Sequence, residues 1–353
     1  MRRQSLTAHT QYAELLEQTL ALETSRSLAS LRGSFVTRLV KGQTYHYYHY
    51  RDIRGEVRQV YLGPDSPALS RFIESAKVDR EDAKADLERI EELCAALAAT
   101  GANVTPFGPA KVIQALADAG LFRHGMVLVG THAFAVLGNV LGVRWGEAAT
   151  TQDIDFVYHG DIDVVVPDAQ AIQVPDVLAE LKMGFFPIPK LNPKHPSTSF
   201  RVRGKELRVD FLVPARGRLP SKPVYLPQLQ TAAEPLRFLD YLIESTQQAV
   251  VVASRGILVN VPSPGRYAFH KLIVATERHT AAAAKARKDI DQAAQLVEVL
   301  AEDNPGELRT AWKSLAKRGD GWVRRAVSGL RQLERRYPDV AERLNAVVSV
   351  RSS

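Results

Sequence analysis

The chain has 353 residues, more than one hydrophobic core usually organises, so two or three units are expected. Hydrophobic residues make up 45% and charged residues 24%, ordinary for a soluble globular protein, and no stretch approaches the roughly 18 apolar residues of a membrane helix. The net charge of +7 and a pI of about 9.4 suit an acidic partner such as nucleic acid or nucleotide phosphate, and a single cysteine, Cys94, excludes an intramolecular disulfide and a cysteine-rich zinc site.

Met1-Arg2-Arg3-Gln4 begins basic with no apolar run behind it, so no secretory signal is read there and a cytoplasmic location is expected. Residues 8–31 place Tyr12, Leu15, Leu16, Leu20 and Leu22 at helical spacing, and Gly33 ends the helix. Phe35–Val40, Tyr45–Arg51 and Val57–Leu62 are rich in β-branched and aromatic residues and separated by glycines, which predicts a three-stranded meander. A long helix over 67–99 follows, with Leu69, Phe72, Ile73, Leu87, Ile90, Leu93 and Leu97 on one stripe and Cys94 as an inert core thiol. After a glycine- and proline-containing connection, a helix is expected over 109–119, a buried strand at Met126–Val129 and a helix over 132–141. Ile154–Val157 and Ile162–Val166 read as strands, and Phe200–Arg203 with Leu207–Val213 as a hairpin around Gly204-Lys205. From 234 onward the pattern is helical over 265–279, 283–301, 306–318, 322–335 and 338–348, with a short hairpin from Val250–Val252 and Ile257–Val261. The expected division is 1–103, a helix–β-meander–helix unit; 104–233, a mixed α+β core; and 234–353, mainly helical.

Three features carry chemistry. Val127-Leu128-Val129-Gly130-Thr131 is a strand running through glycine into a helix; Gly130 admits close approach to the backbone, the first helix amides are unpaired donors, and Thr131 adds a hydroxyl. Thr151-Gln152-Asp153-Ile154-Asp155-Phe156 puts two carboxylates on one face of a strand, a hard-oxygen pair suited to magnesium. Asp210, in the apolar strand Val209-Asp210-Phe211, offers a third carboxylate for metal binding or for use as a base. Each has a plainer explanation: a common turn, a solvated pair of acids, or an outward strand residue sharing its parity with Glu206 and Arg208. Asp161-Ile162-Asp163 repeats the acidic pattern and competes with Asp153 and Asp155.

The order glycine-hydroxyl, D-x-D, later strand aspartate resembles the polymerase-beta-type nucleotidyltransferase superfamily. Gly130-Thr131, Arg144, Thr151, Asp153 and Asp155 most resemble its bacterial branch containing the AbiEii-like toxins and their relatives. Lys271 and Arg278, seven residues apart, match that branch's helical K-x6-R element, and Lys288-Asp289 its K-D-x-x-D, although the second acid, Asp291, comes one residue early. Threonine stands where serine is commoner, and the interval from Gly130 to Asp153 implies an insertion around Leu141–Ala149. Thr151 and Arg144 favour Asp153/Asp155 over Asp161/Asp163.

The resemblance implies a mixed-sheet nucleotidyltransferase core with a helical C-terminal region, and transfer of a nucleoside monophosphate from an NTP by two-metal catalysis. Asp153, Asp155 and Asp210 would be the catalytic and Mg²⁺ (or Mn²⁺) ligands, and Asp210 would accept the acceptor's proton. Gly130, Thr131, Lys271 and Arg278 would hold the nucleotide, with Arg144 and Asp289 in support. The acceptor is left open among RNA such as tRNA, a protein, and a small molecule such as an aminoglycoside. Two alternatives remain: a non-catalytic nucleic-acid-binding protein on a degenerate domain of this kind, and, by analogy, a toxin with a cognate antitoxin. Separately, Arg38, Lys41, Tyr45–Arg51, Arg54 and Arg58 gather basic and aromatic groups on one small sheet, a candidate RNA or DNA surface or simply one packed and one exposed face. His46 and His49, three apart in a strand, face opposite sides and are not expected to bind metal.

Overall fold

The computed structural model describes residues 1–29, 33–40, 42–51, 57–146, 152–158, 172–215, 217, 220, 222–278 and 282–348. After the short β1 (Arg2–Arg3), α1 (Leu6–Ala29) leads into an antiparallel meander of β2 (Gly33–Val40), β3 (Gln43–Arg51) and β4 (Val57–Pro64). α2 (Pro67–Ala99) then starts where Ser66 caps it, accepting from the Leu69 amide at 3.2 Å, with Pro67 pre-set for the first turn. The expected apolar stripes meet: Tyr12, Leu15 and Leu22 of α1 are buried with Ile90, Leu93, Cys94 and Leu97 of α2. Burial pushes the Cys94 thiol up to about 11, in keeping with an inert core position.

The next elements are α3 (Phe107–Asp118), β5 (Met126–Val129), α4 (Gly130–Val140), β6 (Val143–Arg144), β7 (Asp153–Tyr158), α5 (Val174–Glu180), β8 (Phe185–Pro187), β9 (Ser199–Val202), β10 (Arg208–Pro214), β11 (Val224–Leu226) and β12 (Thr231–Leu236). β6 pairs with β1, and the others form a mixed seven-stranded sheet. β7 is its pivot, antiparallel to β5 on one edge and parallel to β10 on the other. The far edge of β10 is shared: Arg208–Asp210 pair with β9 antiparallel, and Leu212–Pro214 pair with β12 parallel. Strand alternation sets the two faces. Ile154, Phe156, Val209 and Phe211 are buried on one, where the Phe156 and Phe211 rings stack with centroids 5.8 Å apart. Asp153, Asp155 and Asp210 have the opposite parity. The strand expected at Ile162–Val166, with Asp161 and Asp163, lies outside the described residues.

The short α6 (Leu239–Leu242) and the hairpin β13 (Thr246–Val251) and β14 (Ile257–Pro262) lead to α7 (Pro264–Glu277), α8 (Ala283–Asp303), α9 (Pro305–Ala316), α10 (Asp320–Arg336) and α11 (Pro338–Val348). This is the expected α+β class with a helical C-terminal region. The hairpin holds α1, since the Tyr12 hydroxyl both donates to the Val250 carbonyl and accepts from its amide, each at 3.0 Å. One buried cluster runs from Ala110 through the sheet to Val348 of α11, so the sheet and the helices share a core. Among the described residues no helix is long and apolar enough to cross a membrane.

The seat of α7 is tight where it matters for the site. A Cβ on Gly329 of α10 would overlap the Leu272 carbonyl of α7. Gly329→Ala is therefore expected to cost about 1–3 kcal/mol through overpacking, read as a lower urea midpoint. An unchanged midpoint would mean that α7 and α10 are not in such close contact.

Candidate active site

The site grows from the meeting of β5, β7 and β10. β5 is buried throughout and ends at Val129, which is opposite Asp155 in register. The chain then turns through Gly130 with φ of +66°, a conformation that favours glycine. A Cβ there would overlap the Asp155 carboxylate, so glycine is required twice, for its backbone and for its missing side chain. α4 starts at this turn, and Val129 at its N-cap has no side-chain acceptor to offer the first amides. These amides, with the Thr131 hydroxyl beside them, suit an anion.

Asp210 is opposite Asp155 in the parallel register, and Arg208 is opposite Asp153. Part of Asp155 remains accessible, but surrounding protein strips water from its carboxyl. That desolvation, then the charges of Asp210 and Asp153, push its pKa from 3.8 up to about 7. Asp153 is exposed. Asp210 is held: its Oδ1 accepts from Arg208 Nε at 2.9 Å, from Arg208 Nη2 at 2.7 Å, and from the Ser199 hydroxyl.

Facing them, α7 and α8 supply cations. Asp289, almost fully buried, accepts from Lys271 Nζ at 2.8 Å and from Arg278 Nε at 2.6 Å. Burial alone would lower the Lys271 ammonium, yet Tyr267 and Asp289 outweigh it and its pKa stands above the ordinary value. The Tyr267 hydroxyl donates to the Gly130 carbonyl at 2.7 Å, tying α7 to the turn. Gly130, Asp155, Lys271 and Arg278 all border one cavity of about 380 Å³, within the usual range of ligand sites. Thus Gly130, Asp155 and Asp210 come together, with Asp153 beside them on the strand, and Lys271, Arg278 and Asp289 form a clamp across the cavity.

Arg144 is elsewhere: it is opposite Arg2 in the β1–β6 pair, and its guanidinium lies against Gly101 at the end of α2. Asp291, the early acid of the second motif, accepts from Arg336 at 2.7 Å and from the Tyr337 hydroxyl at 2.9 Å, bracing α8 against the C-terminal end of α10. Thr151 lies outside the described residues. Three participants carried no assigned role in the sequence. Arg208 was readable in principle, since it shares a strand face with Asp210 two residues on. Ser199 reaches Asp210 only through the β9–β10 register. Lys288, within the second motif, comes within electrostatic reach of Asp153; burial and then Lys271 push its ammonium down, while Asp289 and Asp153 pull it up.

The carboxylate donors fit a hard divalent cation in chemical type, and the raised Asp155 carboxyl marks a place where positive charge is wanted. They do not form a closed cage as they stand: among the described residues no three His, Cys, Asp or Glu side chains are grouped to hold a metal ion, and Asp210 Oδ1 is engaged by Arg208.

The folded chain holds the Asp155 proton more tightly than the unfolded chain, so this group's stabilisation is full below about pH 4 and lost as pH rises toward about 7. In metal-free buffer the stability of wild type relative to Asp155→Asn, which cannot ionise, should fall between those limits, measured by urea unfolding. A difference constant with pH would contradict this environment for Asp155.

A nucleotidyltransferase family model matches residues 109–317, a span that contains Gly130, the three strand aspartates, Lys271, Arg278 and Asp289. No curated protein matches the chain. The crystal structure of an antigenic nucleotidyltransferase-like protein from Paracoccidioides brasiliensis is similar at 13% identity and a TM-score of 0.34, covering 69% of this chain and 95% of that one. The family match spans more than half of the residues, and its segment carries the glycine turn, the three strand aspartates and the Lys271–Asp289–Arg278 clamp: the chain belongs to the nucleotidyltransferase family.

Proposed function

We propose that the chain transfers a nucleoside monophosphate from an NTP to an acceptor, with Asp153, Asp155 and Asp210 as its catalytic carboxylates. The observation that carries this reading is the close approach of Gly130 to the Asp155 carboxylate, both of them lining a cavity that Lys271 and Arg278 also line. A phosphate-accepting turn, an acidic centre and a cationic clamp are then within one substrate's reach.

In this scheme the Gly130 turn and the first amides of α4, with Thr131, bind the distal phosphates. Lys271, fixed on Asp289, and Arg278 neutralise the triphosphate and the departing pyrophosphate. Lys288 adds positive charge on the Asp153 side. Asp153, Asp155 and Asp210 are the groups that would hold Mg²⁺ or Mn²⁺. When bound, the metal supplies Lewis-acid polarisation of the phosphoryl group and charge neutralisation. Asp210 accepts the acceptor's proton, and Arg208 and Ser199 keep its carboxylate oriented.

Among acceptors, RNA has a specific observation in its favour. Tyr61 is exposed on the meander and contacts Tyr45 and Tyr47, with ring centroids 6.1 and 5.4 Å away, while the Arg38 guanidinium lies 5.3 Å from the Tyr47 ring centre. Aromatic faces beside a guanidinium suit stacked bases and phosphate. The opposite face packs inward, with Tyr48 buried against Phe35 and His46 bonded to Asp65 at 2.9 Å. Lys41 and Arg54 lie outside the described residues.

Incubation with each of four α-labelled NTPs, magnesium, total RNA and total protein tests the scheme. Label should enter one acceptor class, fall by about 10²-fold or more in Asp153→Ala, and vanish on chelation with EDTA. Undiminished transfer by the variant, or transfer that survives EDTA, would refute the assignment of these carboxylates.

A further inference from the structure

The strand order divides the site into two sides. β5, which ends at the Gly130 turn, lies on one side of β7, and β10, β9 and β8 follow in turn on the other. Register partners share a face of a sheet. Asp153 is opposite Arg208, Arg208 is opposite Arg201, and Arg201 is opposite Phe186. One row therefore runs from the strand aspartates out to β8. At the usual strand spacing the Arg201 backbone is about 10 Å from that of Asp153, and Phe186 about 14 Å. Phe186, Arg201 and Arg208 are exposed, whereas Phe200, Val202 and Val209, of the other parity, are buried. The core thus fixes which face the row occupies.

The row is basic and aromatic. From Phe200 to Arg208 the chain has four cations, Arg201, Arg203, Lys205 and Arg208, against one acid, Glu206. Arg208 is engaged by Asp210. Arg201 donates its Nε to the Lys205 carbonyl at 3.1 Å, closing the β9–β10 turn, and its two Nη groups have no partner among the described residues. The Arg203 guanidinium lies 6.0 Å from the Phe186 ring centre and has no ion pair among the described residues. An exposed phenyl ring beside guanidinium groups suits an unstacked base and its phosphates. An acidic protein segment would use the cations and leave the ring idle, and a duplex would keep its bases stacked away from it.

Position adds to the argument. Phosphoryl transfer places the attacking and leaving oxygens roughly in line. With the distal phosphates at the Gly130 turn, the pyrophosphate departs on the β5 side. The attacking hydroxyl then enters from the other side, where Asp210 of β10 takes its proton, and β9 and β8 are the strands that extend the sheet there.

We propose that the exposed face of β8 and β9 binds single-stranded RNA, with Arg201 and Arg203 on its phosphates and Phe186 under a base, and delivers a hydroxyl at the end of that strand to the acids. This rests on the reading of the acids as a transfer centre, and it gives the acceptor a route. The hydroxyl oxygen bonds to the α-phosphorus, the bond from that phosphorus to pyrophosphate breaks, and the proton goes to Asp210. Unpaired strands and ends are where RNA is read through stacked bases, which favours RNA over duplex DNA.

Fluorescence anisotropy of the full chain tests the surface. The probes are a short labelled single-stranded RNA of mixed sequence and the same RNA annealed to its complement, with polyglutamate as a competitor and inorganic tripolyphosphate titrated by calorimetry. Wild type should prefer the single strand. The Arg201→Ala, Arg203→Ala double variant should bind it about tenfold or more weakly, with the slope of log affinity against log salt reduced by about 1. Phe186→Ala should lose about fivefold or more with little change in slope, and Phe186→Tyr, which keeps an aromatic face, should stay near wild type. Tripolyphosphate affinity should stay within about twofold of wild type throughout, because no phosphate contact on the β5 side is removed. Unweakened RNA binding in the double variant and in Phe186→Ala would overturn the surface. So would a matching loss for RNA and tripolyphosphate, or displacement of RNA by polyglutamate with no effect of Phe186→Ala, which would point to a protein acceptor. RNA binding that depends on these residues, in a chain that transfers label from no NTP, would uphold the surface and refute the transfer reading. Transfer to RNA that is as efficient in the double variant as in wild type would refute the surface alone.

Discussion

Asp155 faces Asp210 across two parallel strands, with Asp153 one pleat away, and this crowding of acids in a poorly hydrated place is the constraint around which the rest is arranged. Carboxylates so placed repel unless protons or cations intervene. The apolar residues of the same strands fix the crowding, because Ile154, Phe156, Val209 and Phe211 are locked into the core and strand alternation delivers the acids to the other face. Moving any acid away would require a one-residue slip that also exposes the core. The repulsion is thus maintained by hydrophobic burial, which is why it can persist in a stable fold.

The helices answer that charge. Lys271 and Arg278 come from α7 and its end, and Lys288 from α8. Asp289 holds the first two by ion pairs, so both cations have a fixed partner other than the sheet carboxylates. Buried pairs of this kind are weak contributors to stability but strong determinants of position. The Tyr267–Gly130 hydrogen bond and the close approach of Gly329 to Leu272 fix α7 against the turn at Gly130 and against α10. The helical region is accordingly part of the site, a conclusion matched by the single core running from the sheet to α11.

Much of this was legible in the sequence because it depends on local periodicity. The apolar stripes of α1 and α2, the C-terminal helices and the hairpin of β13 and β14 follow from spacing alone. Parity put Asp153 with Asp155, and helical spacing put Lys271 with Arg278. What escaped depends on pairing between distant segments. The parallel register that sets Asp155 against Asp210, the Ser199 hydroxyl brought over by β9, and the edge strands β11 and β12 have no local signature. β8 is only Phe185–Pro187, too short for an alternating pattern. Arg144, given only a supporting role from its place in a motif, pairs with Arg2 through β6 and β1, and its guanidinium lies against Gly101, a placement that no local pattern signals.

The central claim is that the crowded carboxylates exist to be bridged by a divalent cation, and direct observation of bound Mn²⁺ tests it most squarely. Titration of the full chain with Mn²⁺ at pH 7, followed by the electron paramagnetic resonance of the free ion, should give saturable binding that is abolished in both Asp153→Ala and Asp155→Asn. Binding of equal strength in those variants, or none in the wild type with or without an NTP, would contradict the account.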